Sequence, residues 1–190
     1  MTTAADKLIA EAQDRFVTTW GKMGSAWGIS RTMAEVHALL YITGEALCTD
    51  DFMERLQISR GNASMSLRSL QDWGLIRRVH KRGDRKEYFE AEADVWTMFK
   101  TIARERKKRE VDPVVASLYE IRDMTSLPSK SNGAKGGGDD RATRERMEFH
   151  NQRLDAMLDV INSIDKISRS IVGPEGAGLK LALSLLGKMS

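Results

Sequence analysis

Apolar residues recur along this chain first at helical spacing, then in two short runs around a basic turn, then at helical spacing again. Leu8, Ala12, Phe16 and Trp20, with Asp6, Lys7, Glu11, Asp14 and Arg15 elsewhere on the wheel, predict an amphipathic helix from residue 4 to about 22. Gly21, Gly24 and Gly28 are expected to break it. Ser30 is placed to cap a second helix, with Met33, Val36, Leu39, Leu40 and Ile42 on its apolar side and an end near Gly44. A third helix begins at Thr49, where Asp50 and Asp51 suit the positive end of a helix dipole and Phe52, Met53 and Leu56 point inward. Ser59 then caps a helix running to Trp73, in which Ala63, Leu67 and Leu70 form a buried stripe. That stripe leaves Arg60, Asn62, Ser64, Met65 and Arg68 facing outward. Gly74 ends the helix, and Leu75, Ile76 and Val79 followed by Tyr88 and Phe89 predict two short strands around a turn at 81–85.

From Asp94 the helical period returns with Val95, Met98, Phe99 and Ile102, and the helix is expected to continue through the charged stretch 104–110 toward Tyr119 and Ile121, with Pro113 as a kink or break. The segment SLPSKSNGAKGGGDD, residues 126–140, has no apolar period and reads as a flexible linker. Beyond it Met147, His150, Leu154, Met157, Ile161, Ile164, Ser168 and Ile171 alternate in steps of three and four, a heptad seam that predicts a partner helix, with His150 and Ser168 as register-setting polar positions. Gly173 and Pro174 stop that helix, and an apolar tail with Leu179, Leu181, Leu183, Leu185 and Leu186 follows, expected to pack on a dimer core. The domains are therefore an N-terminal helix and connection (1–30), a helix-turn-helix with a hairpin wing (31–92), a long connecting helix (93–125), the linker (126–140), and a dimerisation helix with its tail (141–190). In fold class the chain is mainly α with a small β-hairpin wing: a winged helix-turn-helix plus long dimerisation helices.

Composition narrows the chemistry. At 190 residues with 41% hydrophobic and 30% charged residues, the chain is long enough for one compact core with helical extensions. An aromatic content of 6% disfavours an all-β fold. Cys48 is the single cysteine, which excludes an internal disulfide or a Cys-rich zinc site and fits a reducing compartment, with a small buried residue favoured over a redox switch. No window of the sequence approaches the roughly 20 apolar residues that span a bilayer, and no signal peptide is evident, so a cytoplasmic, nucleoid-associated location is expected. The net charge of +3 is mild, but between Arg60 and Lys86 there are eight Lys or Arg against two acids, so cationic charge is focused there and the remainder of the chain is net acidic.

That focus coincides with a helix, a tight turn and a second helix whose outward Arg60, Asn62, Ser64, Met65 and Arg68 are suited to base edges in a major groove. Behind it the hairpin offers Arg77, Arg78, Lys81, Arg82, Arg85 and Lys86 to phosphates or a minor groove. Residues 28–92, from GISRTMAEVHALL through SRGNASMSLRSLQDWGLIRRVHKRGDRKEYFEA, resemble the winged-helix region of the dimeric bacterial MarR-type regulators, and specifically their GbsR-like branch. The resemblance implies that Ser59 to Trp73 is the recognition helix with Leu67 and Leu70 in its core. It also implies that Gly83, Asp84 and Arg85 are the wing motif, Asp84 pairing with Arg85 to shape the wing. It further implies a homodimeric repressor or activator, and an association with quaternary ammonium osmolytes.

Cations of that kind sit over aromatic faces, which makes Trp20, Trp27 and Tyr41 candidate ligand rings beside the alternative reading as core; a small-molecule effector is left open and no cofactor is expected. Trp73 and Trp96 complete the set of available rings. His37, His80 and His150 stand singly, so no metal site is expected. No acid–base pair or activated nucleophile occurs at useful spacing, which sets an enzyme aside. The remaining rival is a winged helix that docks an acidic protein partner instead of duplex DNA; Met65 is the one apolar residue on the recognition face, which disfavours it.

Overall fold

The computed structural model describes residues 3–126 and 138–172; the side chains of Ser168 and Ile171, the predicted linker and the leucine tail lie wholly or mostly outside the described residues. The chain divides into two units, Met1–Glu105 and Arg106–Ser190.

In the first unit α1 (Ala4–Ala26) begins in a capping box: Thr3 Oγ1 accepts from the Asp6 N–H at 3.1 Å and Asp6 accepts from the Thr3 N–H at 2.7 Å. Two sequence expectations are corrected here. Leu8 is 67% exposed and the inward stripe is Phe16, Val17, Trp20, Gly21 and Gly24. Gly21 and Gly24 do not break the helix, which runs on to Ala26. They face α2 (Arg31–Thr43), where a Cβ added at Gly24 would stand 2.6 Å from the Ala34 Cβ. Gly28, at φ 78°, makes the turn that frees Ser30 to cap α2. Helix α2 is the centre of the core, with Val36, Leu39 and Leu40 at 1% exposure or less. Ile42, expected inside, is 36% exposed in the last turn of α2, and His37 is buried at 3%.

After Gly44 comes a strand absent from the sequence expectation, β1 (Leu47–Cys48), followed by α3 (Thr49–Leu56), α4 (Arg60–Asp72), β2 (Ile76–Val79), β3 (Tyr88–Ala91) and α5 (Val95–Arg106). The sheet is antiparallel in the order β1-β3-β2, with Leu47 opposite Phe89 and Arg78 opposite Phe89 on the other side. So the hairpin supplies the central strand β3 and the edge strand β2, with β1 on the other edge; two residues are too short a stretch to show a period-2 pattern. Phe52, Ala63, Leu67, Leu70, Leu75, Ile76, Phe89 and Met98 join α2 in one core. Arg55 ties α3 to α1 through Asp14 Oδ1 at 3.0 Å and the Ala10 carbonyl at 3.2 Å.

The second unit opens with a π-helical turn, Lys107–Val111, then α6 (Asp112–Met124) and α7 (Gly138–Val172). Pro113 therefore does not end the helical path: it stands in the first turn of α6, where the missing N–H is tolerated, and the preceding turn widens. Helices α6 and α7 pack antiparallel, since Tyr119, Arg122 and Thr125 meet Asn162, Asp155 and Asn151 in that order. Leu158 is buried at 3%. The predicted seam splits around α7: Leu154 and Ile161 are half-buried, whereas Met157 and Ile164 are 55% and 61% exposed beside Val160 and Ile167, each 60% exposed. Met147 is half-buried and His150 exposed.

Candidate nucleic-acid interface

The turn between α3 and α4 is three residues long. Gln57 takes the left-handed conformation at φ 52° while its Nε2 donates to the Glu54 carbonyl at 2.6 Å, and Ser59 Oγ then accepts from the Asn62 N–H at 3.2 Å to start α4. This sets α4 down with Ala63, Ser66, Leu67 and Leu70 buried and Arg60, Asn62, Ser64, Met65 and Arg68 all exposed. The five expected reading residues share one open face, Met65 at 64% exposure. Beside it, Asn62 and Met65 line a cavity of ≈ 280 Å³ with Ser30, Thr32, Met33, Ser66 and Ser69.

In the wing, Gly83 at φ 89° closes a turn in which the Asp84 N–H donates to the Lys81 carbonyl at 3.1 Å. Asp84 Oδ1 accepts from the Lys86 N–H at 2.9 Å and Oδ2 from the Tyr88 hydroxyl at 2.7 Å; these bonds hold its carboxyl below the usual range. Asp84 thus shapes the wing through backbone and Tyr88, and among the described residues its side chain is not bonded to the Arg85 guanidinium that the resemblance pairs with it. Arg85 and Arg82 are exposed at the tip.

The other wing cations are engaged within the protein, which sequence reasoning could not see. Lys81 Nζ donates to the Ala46 carbonyl at 3.0 Å and lies 3.9 Å over the Tyr88 ring. Arg77 pairs with Glu90 at 2.9 Å across the strands and Arg78 with Glu87 at 2.7 Å. Arg60 and Lys86 converge on Asp50, at 2.5 and 3.0 Å. Sequence places Asp50 at a helix start and Tyr88 on a strand; only the folded chain brings them to the basic surface.

The candidate ligand rings lie elsewhere. Trp20 stacks on Phe16 at 5.7 Å, Phe16 meets Tyr41 at 6.3 Å, and Trp20 meets His37 at 6.4 Å, all packed against the core. Trp27 sits at the C-cap of α1, 49% exposed. A second cavity, ≈ 630 Å³ beside α7, is lined by Thr125, Arg146, Met147, Phe149, His150 and Arg153 among others. Cys48 is buried at the start of α3. Among the described residues no group of three or more His, Cys, Asp or Glu could hold a metal ion, and no helix is long and apolar enough to cross a membrane.

Comparison with known proteins bears directly on this surface. Residues 27–87, from the end of α1 to the wing, match the MarR family. The chain is 28% identical over 114 residues to the HTH-type transcriptional repressor GbsR of Bacillus subtilis (strain 168), covering 60% of this chain and 63% of that protein. It is 24% identical over 95 residues to the putative HTH-type transcriptional regulator YvaV of the same organism, covering 50% of this chain and 54% of that protein. The chain thus spans about six tenths and about half of the length of these two curated relatives. In fold it is similar to a solved transcriptional regulator, with a TM-score of 0.55 at 20% identity over 87% of this chain and 99% of that one. Regulators of this family are not enzymes. The capped helix α4, the three-stranded sheet and the glycine-tipped wing thus lie in or next to the segment that is similar to the MarR family, and the chain is similar over a longer stretch to the GbsR repressor.

Proposed function

We propose that this chain is a sequence-specific, duplex-DNA-binding transcriptional repressor that acts as a homodimer on the nucleoid, with α4 in the major groove and the wing, 79–88, on backbone or minor groove. The observation that carries the reading is the open face of α4. Arg60, Asn62, Ser64, Met65 and Arg68 project from its first two and a half turns, the part that enters a groove, and Arg and Asn make bidentate bonds to guanine and adenine. Arg82 and Arg85 at the wing tip supply phosphate contacts. Repression is the printed role of one similar protein, GbsR.

The homodimer is supported by α7. Met157, Val160, Ile164 and Ile167 recur in steps of three, four and three and are each at least 55% exposed, an apolar stripe that a second copy would cover. Two winged helices would then read half-sites about one DNA turn apart.

The test is binding of the purified protein to fluorescent fragments of its own upstream region and to random duplex across a salt series. Preference for one fragment is expected, with log K falling against log salt at a slope near −5 if roughly six phosphates are neutralised per dimer. Asn62→Ala should relax the sequence preference and Arg82→Ala weaken both duplexes alike. Absence of binding to either duplex at low salt would overturn the proposal in favour of a protein-docking winged helix.

A further inference from the structure

Asp50 and Asp51 stand side by side at the start of α3 and do different work. Asp51 Oδ2 accepts from the Cys48 N–H at 2.7 Å and so completes the helix cap. Asp50 takes no part in that cap. Its Oδ1 accepts from Arg60 Nη2 at 2.5 Å and its Oδ2 lies 3.0 Å from Lys86 Nζ. One carboxylate, its side chain 44% exposed, therefore joins the first residue of α4 to the wing just before β3, one oxygen to each cation. Two oxygens of one anion receiving a guanidinium and an ammonium is also what the non-bridging oxygens of a DNA phosphate would offer these two side chains.

Asp50 and Lys86 each favour the other's charged form. The hydrogen bonds from Lys86 and Arg60 hold the Asp50 carboxyl below the usual range, and Asp50 in turn raises Lys86. By contrast Asp84, the other acid of the basic region's loop, is turned to the backbone and Tyr88 and leaves the tip cations alone.

We propose that Asp50 is a specificity-determining residue: it occupies Arg60 and Lys86 in place of a DNA phosphate, so that a duplex gains these two cations only by displacing it. The inference rests on the DNA-binding reading above. A random duplex offers phosphates alone, and exchanging a carboxylate for a phosphate brings little net gain while setting phosphate charge against Asp50. A duplex that also gives Arg60 a base edge gains what the exchange costs. Asp50 therefore suppresses random binding more than specific binding.

The experiment compares wild type with Asp50→Asn, and with Asp50→Ser as a second variant that keeps a helix-start oxygen, on the preferred upstream fragment and on random duplex. Thermal unfolding checks that each variant is folded. Exposed ion pairs are worth up to a few-fold in binding each, so random-duplex affinity should rise about five- to tenfold, with a smaller rise on the preferred fragment. The random-duplex salt slope should steepen by about one to two, because each freed cation adds about 0.9. Lys86→Gln should change random binding little in the wild-type background and weaken it clearly in Asp50→Asn, a coupling that a purely structural Asp50 would not produce. Unchanged or weaker random binding by folded variants, or an unchanged slope, would overturn the role of Asp50 while leaving DNA binding in place. Loss of all DNA binding by the wild type would instead remove the reading on which it rests.

Discussion

His37 is a titratable group in an apolar place. It is 3% exposed on α2, the Trp20 ring is 6.4 Å from its own, and its Nε2 has no hydrogen-bond partner among the described residues. Burial lowers its pKa to about 4 from 6.5. The unfolded chain then binds the proton first as pH falls, so the folded state is at full stability above pH 6.5, loses it between 6.5 and about 4, and levels off below. The loss is about 3 kcal/mol. Thermal unfolding at pH 7 and pH 4.5 should show it in the wild type, and His37→Leu, which fills similar space without a proton site, should be flatter over that range. At this scale the sequence was a partial guide. The outward set on α4 followed from the spacing of Ala63, Leu67 and Leu70, and the structure exposes all five of its members. Which cations are already paired was hidden, because Arg60 and Lys86 meet Asp50 across ten residues and more, and periodicity carries no information about such contacts.

Among the elements, α1 shows how a pattern can mislead. Three glycines after an amphipathic stretch look like punctuation, yet Gly21 and Gly24 are helical and lie where α1 crosses α2. Glycine weakens a helix by about 1 kcal/mol against alanine, so propensity alone would favour Gly24→Ala. Packing reverses the sign: the added Cβ would meet the Ala34 Cβ at 2.6 Å, on two rigid helices with no flexible tip to swing aside. Gly24→Ala should destabilise the protein by about 1–3 kcal/mol, read from denaturant midpoints. Gly21→Ala should be milder, since its nearest neighbour is the Cγ of the longer Glu35 side chain. The helix starts at Ser30 and Ser59 and the ends at Gly44 and Gly74 were legible, because caps and left-handed glycines have local chemistry. Strand β1 was not, since it exists only by pairing with β3, some forty residues away.

For the molecule as a whole, the proposed homodimer rests on the seam of α7. Heptad spacing predicts one seam, and the structure divides its members: Leu154 and Ile161 are half-buried, near the buried Leu158, whereas Met157 and Ile164 lie on an exposed face with Val160 and Ile167, which the seam left out. Sequence could not separate the two, because both fall within the steps of three and four that a helix offers. Ile164→Glu places a charge in the uncovered face without touching the α6 contact. Sedimentation should show a dimer for the wild type and a dissociation constant raised by at least about tenfold for the variant, with helical content unchanged. An equally tight dimer in the variant would place the interface elsewhere. The ion pairs Arg77–Glu90, across the strands, and Arg78–Glu87, at the hairpin's end, reach further than the wing's own stability. With those charges answered at home, the wing's field fades within about 8 Å at physiological salt and is carried mainly by its tip. Under the proposed DNA binding, such a wing would linger only briefly on each wrong stretch of a chromosome, and the protein would scan more of it in a given time.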